Sequence, residues 1–267
     1  ERLSIGARWV MGDDVRTLPP TWVVDSLLAR TSWKLWPLEV ITETPVLRPN
    51  SCTILDTPGY DVSTGILYRP KTSYPRITEA PTQQDIYAAL AAIEDILHDF
   101  RFETLEHKAG FYAAILTPLA RTAFSGPSPL FLFDASTPGA GKSLLARVAS
   151  IIATGRYPAI VQFPREEDER KKAITTYALE GDRIVTFDNV TGKLGGTSLC
   201  TALTLPTWTD RILGQSRQWT GPMNIVFYAT SNNAQLGADM DRRATHIRID
   251  PGCEDPEKRT GFRYPDL

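Results

Sequence analysis

Apolar positions are spaced differently in successive stretches of the chain, and each spacing predicts a different kind of element. Between Pro45 and Tyr68, short β-prone runs alternate with turn residues and predict a small hairpin or meander, followed by a stiff proline-rich connector at 69–81. Between 83 and 120, apolar residues recur at helical spacing and predict two helices, the first capped by Thr82 and the second beginning near Lys108. The chain therefore begins with a small mixed α/β accessory module and a helical lead-in.

From residue 130 onward, apolar strands alternate with helical repeats. The strands are predicted at 130–134, 159–163, 183–188, 224–230 and 245–249, and the helices at about 142–153, 166–180, 197–204 and 239–243. This alternation predicts an α/β fold with a parallel sheet between helices, and such sheets bind ligands at the carboxyl ends of their strands. The predicted divisions are an accessory module at 1–82, a helical lead-in at 83–120, a core at 121–250 and a tail at 251–267.

Composition narrows the class of protein without revealing its chemistry. The 267 residues are 42% apolar and 22% charged with a net charge of -2, which excludes a disordered polyelectrolyte and nucleic-acid binding through bulk charge alone. Cys52, Cys200 and Cys253 are far apart and predict reduced thiols rather than a disulfide framework or a zinc site. Because no apolar run is long enough to cross a bilayer and no leader is recognisable, we expect a cytoplasmic protein without a membrane partner.

The strongest chemical signal follows the first core strand. Residues 136–143 read Ser-Thr-Pro-Gly-Ala-Gly-Lys-Ser and lie between an apolar strand and a helix, which is the context of a phosphate-binding P-loop. Its N–H groups can surround a phosphate, Lys142 can neutralise the β- and γ-phosphates of ATP, and the Ser143 hydroxyl can ligate Mg²⁺. Ser136 departs from the pattern, since a glycine is expected there. The residues predicted to bind the nucleotide are Pro138, Gly139, Ala140, Gly141, Lys142, Ser143 and Leu144.

Two later strands also end in polar residues that suit a nucleotide site. The first runs into Asp188, whose carboxylate would lie beside the P-loop and hold magnesium as a Walker B aspartate does. Asn189 follows where many ATPases carry the glutamate that activates water, and an amide cannot accept a proton at neutral pH. The second strand leads to Asn232 and Asn233, either of which could contact the γ-phosphate or position the attacking water.

Two charged groups are further candidates for catalysis. Glu166, Glu167 and Glu169 begin a predicted helix and are either a source of the missing base or a solvated helix end with capping charge. Arg242 and Arg243 could stabilise transition-state charge at the site of a neighbouring subunit, although two arginines by themselves are usually surface charge.

The order of P-loop, aspartate strand, asparagine strand and arginine pair resembles the core of AAA+ ATPases over 110–250. Four segments look like ATPase domains of phage and mobile-element primase-helicase proteins, which are similar to superfamily 3 and minichromosome-maintenance helicases: 117–121, 131–143, 187–190 and 230–233. The resemblance implies a homo-oligomer, a hexameric ring that threads single-stranded or forked DNA and binds ATP and Mg²⁺ between subunits, with a primase or other replication protein as a partner. AAA+ proteins normally continue into a helical lid, for which the 17 residues after Asp250 are too few.

Residues 208–222 are long enough for a hairpin and lie where related helicases carry one that points into the pore. Arg217 could bind phosphate there, and Trp219 could stack on a base. In the competing interpretation, Trp219 packs onto the core and Arg217 is an ordinary solvated charge. The residues alone do not separate these two interpretations.

The function expected from these features is an ATP-dependent DNA helicase or translocase motor domain for phage or mobile-element replication. The alternative is an ATP-dependent assembly or helicase-loader protein that hydrolyses ATP slowly and does not unwind DNA. Asn189 favours this alternative, because an amide cannot act as the base. A small-molecule kinase is a weaker third interpretation because it leaves the asparagine strand and the arginine pair without a role.

Overall fold

The chain forms two compact units, Glu1–Pro37 and Leu38–Leu267. In the first, strand β1 (Val10–Met11) pairs antiparallel with β2 (Val15–Arg16), and helix α1 (Thr21–Leu28) buries none of its side chains. The computed structural model describes residues 9–11, 15–30, 35–49, 51, 53–214, 216–237 and 239–267.

The second unit begins with five short strands that form two small sheets. They are β3 (Val40–Thr42), β4 (Val46–Leu47), β5 (Ile54–Leu55), β6 (Gly59–Asp61) and β7 (Ile66–Tyr68). β4 and β5 pair antiparallel, while β7 lies between β3 and β6. The Thr44 hydroxyl donates to the Ala153 carbonyl at 2.9 Å and the Thr122 hydroxyl to the Leu47 carbonyl at 2.7 Å, so these strands are bonded to the helices that follow.

Two helices follow the proline-rich connector, α2 (Gln83–Ile96) and α3 (Leu105–Ala120). The Thr82 side chain accepts a hydrogen bond from the Asp85 amide while the Asp85 carboxylate accepts one from the Thr82 amide, so the predicted cap is confirmed. α3 begins earlier than predicted because Thr104 caps it through the His107 amide.

The remaining elements surround the central sheet. In chain order they are β8 (Leu130–Ala135), α4 (Lys142–Thr154), β9 (Ala159–Val161), α5 (Glu167–Glu180), β10 (Ile184–Val190), β11 (Lys193–Leu194), α6 (Thr197–Ala202), β12 (Thr207–Arg211), β13 (Gln218–Pro222), β14 (Val226–Asn232), β15 (Gln235–Leu236) and β16 (Ala244–Ile249). The five central strands lie in the order β16-β8-β14-β10-β9, and every neighbouring pair is parallel. The predicted α/β class with a parallel sheet flanked by helices is therefore confirmed.

Each face of this sheet has its own apolar core, because alternate residues of a strand point to opposite faces. On one face Phe133 and Tyr228 pack with Leu145 of α4. On the other face Leu132 and Phe227 belong to a second buried cluster with residues of α5 and α6. The sheet is thus buried on both sides, which leaves the ends of its strands as the places where polar groups can gather.

The prediction of a helix at 239–243 is wrong, because these residues form successive turns. The Met240 amide donates to the Gly237 carbonyl and the Arg243 amide to the Met240 carbonyl, both at 2.9 Å. Five residues close too few helical hydrogen bonds to offset the cost of nucleating a helix before β16 begins.

The segment after β16 contains one 3₁₀ turn, Pro256–Lys258. Cys200 and Cys253 are free thiols, whereas Cys52 lies outside the described residues. Among the helices of the described residues, none combines the length and the apolar character that crossing a bilayer requires.

Candidate functional site

The loop between β8 and α4 takes its shape from two glycines in the left-handed region. Gly139 has a φ of +72° and Gly141 a φ of +93°, conformations that other residues rarely adopt. Gly141 is also the N-cap of α4, so the loop leads directly into the first free N–H groups of a 13-residue helix. These N–H groups and the positive end of the helix dipole favour an anion at this position.

Side chains from two strand ends meet the first residues of α4 beside this loop. The Lys142 ammonium donates to Asn232 Oδ1 at 2.6 Å and to the Thr137 carbonyl at 3.1 Å. The Ser143 hydroxyl donates to Asp188 Oδ1 at 2.7 Å. The strand order explains the meeting, because β14 lies between β8 and β10 and its carboxyl end adjoins both of theirs. The structure thus brings four of the predicted site residues together.

Thr230 is a member of this group that the sequence analysis missed. Its hydroxyl donates to Asp188 Oδ1 at 2.7 Å and accepts from the Asn189 amide at 2.7 Å, so it fixes the carboxylate and the turn that follows it. Among the described residues, no hydrogen bond reaches Asp188 Oδ2, which leaves that oxygen for a ligand. The signal that could have found Thr230 is its spacing, since it lies two residues before Asn232 on the same face of β14.

Lys142 is held in a buried position between acidic groups. Its side chain lies beneath the loop, and the whole residue is only 8% exposed. Burial lowers the pKa of Lys142, while the negative charges of Asp134 and Asp188 act in the opposite direction without cancelling the effect. A buried ammonium with acidic neighbours is suited to binding an anion that brings more negative charge.

The structure distinguishes the roles of the two asparagines, Asn232 and Asn233, which sequence spacing could not do. Asn232 bonds to Lys142 and therefore belongs to the site. Asn233 has a φ of +50°, and its side-chain amide donates to the Ser136 carbonyl at 3.1 Å. The side-chain Oδ1 of Asn233 accepts from the Arg248 guanidinium at 2.9 Å. Asn233 thus ties the start of the P-loop to β16 rather than facing the Lys142 ammonium.

Asp134, near the end of β8, joins this strand to β16 and to the residues after β14, and it was not predicted as a site residue. It is 1% exposed, bonds to Arg248, accepts from the Ala234 amide at 3.1 Å and lies 3.1 Å from His246 Nε2. Burial disfavours its ionisation, but the hydrogen bonds from His246 and Ala234 and the charge of Arg248 hold the pKa of Asp134 below its usual range. Its signal in the sequence was a carboxylate at the end of an otherwise apolar strand.

Of the three glutamates predicted as possible bases, Glu167 and Glu169 are engaged by neighbouring groups, whereas Glu166 is the N-cap of α5 and makes no side-chain capping bond. Glu167 accepts from the Ser198 amide at 2.5 Å and pairs with Arg170, and Glu169 pairs with Lys172 at 2.7 Å. Although burial opposes it, the hydrogen bonds from Ser198 and the charge of Arg170 lower the pKa of Glu167, which makes it a weaker base. These contacts match the capping alternative rather than the catalytic one.

The arginine pair lies at the amino edge of the sheet, away from the P-loop of its own chain. The Leu130 amide at the start of β8 donates to the Arg243 carbonyl, and the six residues of β8 separate this point from the P-loop by about 20 Å. Arg243 is tied to Thr204 and to the Asp239 carbonyl, whereas the Arg242 side chain is 71% exposed and, among the described residues, pairs with Asp239 alone.

The predicted hairpin is present as the antiparallel pair β12 and β13. Asp210 accepts from the Thr175 hydroxyl at 2.7 Å and pairs with Lys171 at 2.9 Å, which fixes the hairpin to α5. Trp219 is partly buried against the second apolar core, and its ring covers Gly221. Trp219 therefore packs as in the competing interpretation, while Arg217 is exposed near the tip.

The residues at this site fit a nucleotide and Mg²⁺. Among the described residues there is no cluster of three His, Cys, Asp or Glu side chains for a metal, so the ion would depend on the Ser143 hydroxyl, the Asp188 carboxylate and phosphate oxygens. These are the hard oxygen ligands that Mg²⁺ prefers. Within the loop, the Thr137 hydroxyl is buried and has no hydrogen-bond partner in the part of the chain that the structure describes, so it is a donor that a phosphate oxygen would satisfy.

Comparisons with known proteins assign no family to the chain. The loop, the acidic strand end and the asparagine are therefore interpreted from their own geometry and chemistry. No protein-family model matches this sequence, and no curated protein matches it.

Proposed function

We propose that this chain is an AAA+-type P-loop ATPase that binds ATP and Mg²⁺ at the carboxyl edge of its central sheet. The observation that carries the proposal is a pair of hydrogen bonds between the start of α4 and two strand ends: Lys142 is bonded to Asn232 of β14, and Ser143 is bonded to Asp188 of β10. In this proposal the loop N–H groups and Lys142 bind the phosphates, and Ser143 and Asp188 hold the metal.

The residues of the site divide the work of hydrolysis between them. Bound Mg²⁺ supplies neutralisation of charge on the phosphate oxygens. The Lys142 ammonium stabilises the same charge from the loop side, and Asn232 orients the γ-phosphate or the attacking water. Asn189 is exposed and carries an amide, so it can orient a water molecule but cannot remove its proton.

We further propose that ATP turnover drives a DNA helicase or translocase of a phage or mobile element, assembled as a ring. Arg242 supports a shared site, because it is exposed at the sheet edge opposite its own P-loop and could serve only a neighbouring subunit. The hairpin of β12 and β13 supports contact with DNA, since Arg217 is exposed near its tip and can bind phosphate.

A slowly hydrolysing assembly or loader protein is the second candidate, and a separate observation favours it. Asn189 stands at the position of the usual base, and Glu167 is bonded to Ser198 and Arg170 instead of to the site. In such a protein ATP would act mainly as a ligand between subunits, and a partner such as the replicative helicase or primase would act on DNA.

Phosphate release and strand displacement on forked DNA, measured with ATP and Mg²⁺, test the proposal and separate the two candidates. If the chain is a helicase, we expect ATP-dependent strand displacement that Asp188→Asn abolishes. The control Asp168→Asn, at an exposed position of α5, should keep this activity. The loader predicts ATP binding and slow turnover without displacement. A wild-type chain that binds no ATP would contradict both.

A further inference from the structure

The C-terminal segment lies directly against the phosphate-binding loop. A Cβ atom built on Gly139 would meet Glu257 Cγ at 2.4 Å and Glu257 Oε1 at 3.2 Å, so the glutamate side chain lies on that glycine. A Cβ atom on Gly141 would meet the Phe100 ring at 3.2 Å. The loop is therefore bounded by Phe100, which lies between α2 and α3, and by the 3₁₀ turn of the C-terminal segment.

This segment is fastened to the end of α2 by several polar contacts. The Arg263 guanidinium pairs with Asp95 at 2.9 Å, and the Tyr264 hydroxyl donates to the same carboxylate. The Arg263 amide donates to the Asp99 carboxylate at 2.8 Å, and the Arg259 guanidinium donates to the Asp99 carbonyl at 3.0 Å. These contacts all lie within a few residues of Glu257, so they fix where its side chain can reach.

The negative charge of Glu257 would repel a phosphate that approaches the loop on which it lies. Gly139 and Gly141 shape a loop whose N–H groups and helix dipole favour an anion, and Glu257 brings a carboxylate to the same surface. Among the described residues, no hydrogen bond or ion pair engages the Glu257 carboxylate, whereas its neighbour Lys258 pairs with Asp255. An incoming triphosphate would meet both the like charge and the volume of this side chain.

We propose that residues 256–264 form an autoinhibitory strap over the nucleotide site. The strap holds Glu257 on the P-loop of the free chain, and a nucleoside triphosphate must displace it to bind. The proposal rests on the proposed function, since it regulates the same site. In this proposal, the affinity for nucleotide depends on two free energies. One is gained when the nucleotide binds the loop, and the other is lost when the contacts of the strap with Asp95 and Asp99 break.

Binding of a non-hydrolysable ATP analogue with Mg²⁺, measured by calorimetry, tests the strap directly. Glu257→Gln removes the charge but keeps the shape, and we expect it to bind the analogue about three- to tenfold more tightly. Glu257→Ala should gain at least as much, and Glu254→Gln, a control in the same segment, should behave like the wild type. A gain in affinity cannot result from misfolding.

Each other outcome has a definite meaning. Unchanged affinity in Glu257→Gln would overturn the strap, and weaker binding would also overturn it because it would make the carboxylate a group that binds the nucleotide. If every variant, including the wild type, fails to bind the analogue, the site itself is refuted and the strap with it. Binding with no effect of Glu257 leaves the proposed ATPase intact, so the two failures are distinguishable.

The anchor at Asp95 provides an independent test. Asp95→Asn should release the strap and raise affinity, and the double variant with Glu257→Gln should gain little beyond Glu257→Gln alone, because a released strap no longer places its carboxylate on the loop. Additive gains would contradict the mechanism. Hydrogen exchange of the Arg263 amide, which donates to Asp99, should accelerate when the analogue binds, and an unchanged rate would count against displacement.

Discussion

At the carboxyl end of the central sheet the charged side chains bond mainly to other side chains, whereas at the amino end Arg121 and Arg183 bond mainly to main-chain carbonyls. Lys142 donates to Asn232, and Ser143 donates to Asp188. Each of these side chains can give up its partner and bond to a ligand instead. Arg121 and Arg183 sit at the other end and donate to carbonyl oxygens of their own chain. Charge at the first end is available for chemistry, and charge at the second end is used to hold the fold together.

The amino end illustrates the structural use of a buried cation. Arg183 donates to the Thr42 hydroxyl at 3.0 Å and the Pro118 carbonyl at 2.7 Å, which joins β3 to the end of α3. Burial lowers the pKa of Arg183 to about 10 and also lowers that of Arg121. Both groups line a cavity of about 710 Å³, yet three of their four hydrogen bonds go to main-chain carbonyls and the fourth to the Thr42 hydroxyl.

The largest expected effect is at the carboxyl end. Lys142→Ala removes the ammonium beside Asn232, and we expect ATP turnover to fall by about a hundredfold or more, with little loss of stability. Turnover is measured by phosphate release and stability by urea unfolding. Lys172→Ala, which removes a lysine paired with Glu169, is the matched control. Equal turnover in the two variants would remove the basis of the comparison.

The next effect should appear in stability alone. Arg183→Met removes both hydrogen bonds at the amino end, and we expect the free energy of unfolding to fall by about 1–3 kcal/mol. ATP turnover per folded molecule should be unchanged. Arg147→Met, at an exposed position of α4, should change stability by less than about 0.5 kcal/mol. A loss of turnover in Arg183→Met would show that the two ends are not independent.

Two threonines on neighbouring strands sharpen the comparison further. Thr230→Val removes a hydroxyl that bonds both Asp188 and the Asn189 amide, and we expect a loss of about 1–2 kcal/mol of stability together with reduced turnover. Thr186→Val removes a buried hydroxyl without a partner and should be neutral or stabilising. Unfolding curves that move equally for both variants would refute this assignment.

The smallest effect concerns pH. The hydrogen bond from Arg156 lowers the pKa of Glu43 to about 2, so the folded state favours the ionised carboxylate. This stabilisation is complete above the ordinary pKa of glutamate and is lost as the pH falls towards 2. Glu43→Gln should therefore be less stable than the wild type at pH 7, by about 1 kcal/mol or less because Arg156 is largely exposed.

The difference in unfolding free energy between Glu43→Gln and the wild type should shrink when both are measured near pH 3. Glu79→Gln, at an exposed position in the connector, is the control and should keep a constant difference from the wild type. A difference for Glu43→Gln that does not change with pH would mean that the pair with Arg156 does not form.

The sequence was informative wherever a pattern is local. The five core strands, the glycine loop and the polar residues at strand ends follow from spacing, because alternation and turn residues act over a few positions. Spacing could not show which of Asn232 and Asn233 faces Lys142, because the answer depends on the left-handed backbone conformation of Asn233. The turns at 239–243 were mistaken for a helix because five residues carry too little periodicity.

Contacts between distant segments could not be predicted in the same way. Nothing in the local sequence around Glu257 indicates that it lies on Gly139, because that contact depends on how the last segment folds back onto α2. Asp134 was visible as a carboxylate at a strand end, but its partners Arg248 and His246 come from a strand that only the sheet order places next to it.

The backbone at Asn189 bears on any attempt to install a carboxylate at this position. Its φ of +51° belongs to the left-handed region, which asparagine tolerates better than other side chains with a Cβ. Installing a glutamate there would cost about 1–2 kcal/mol in backbone strain. The amide thus suits the irregularity in register near the end of β10, and an engineer would have to make that strand regular before changing the side chain.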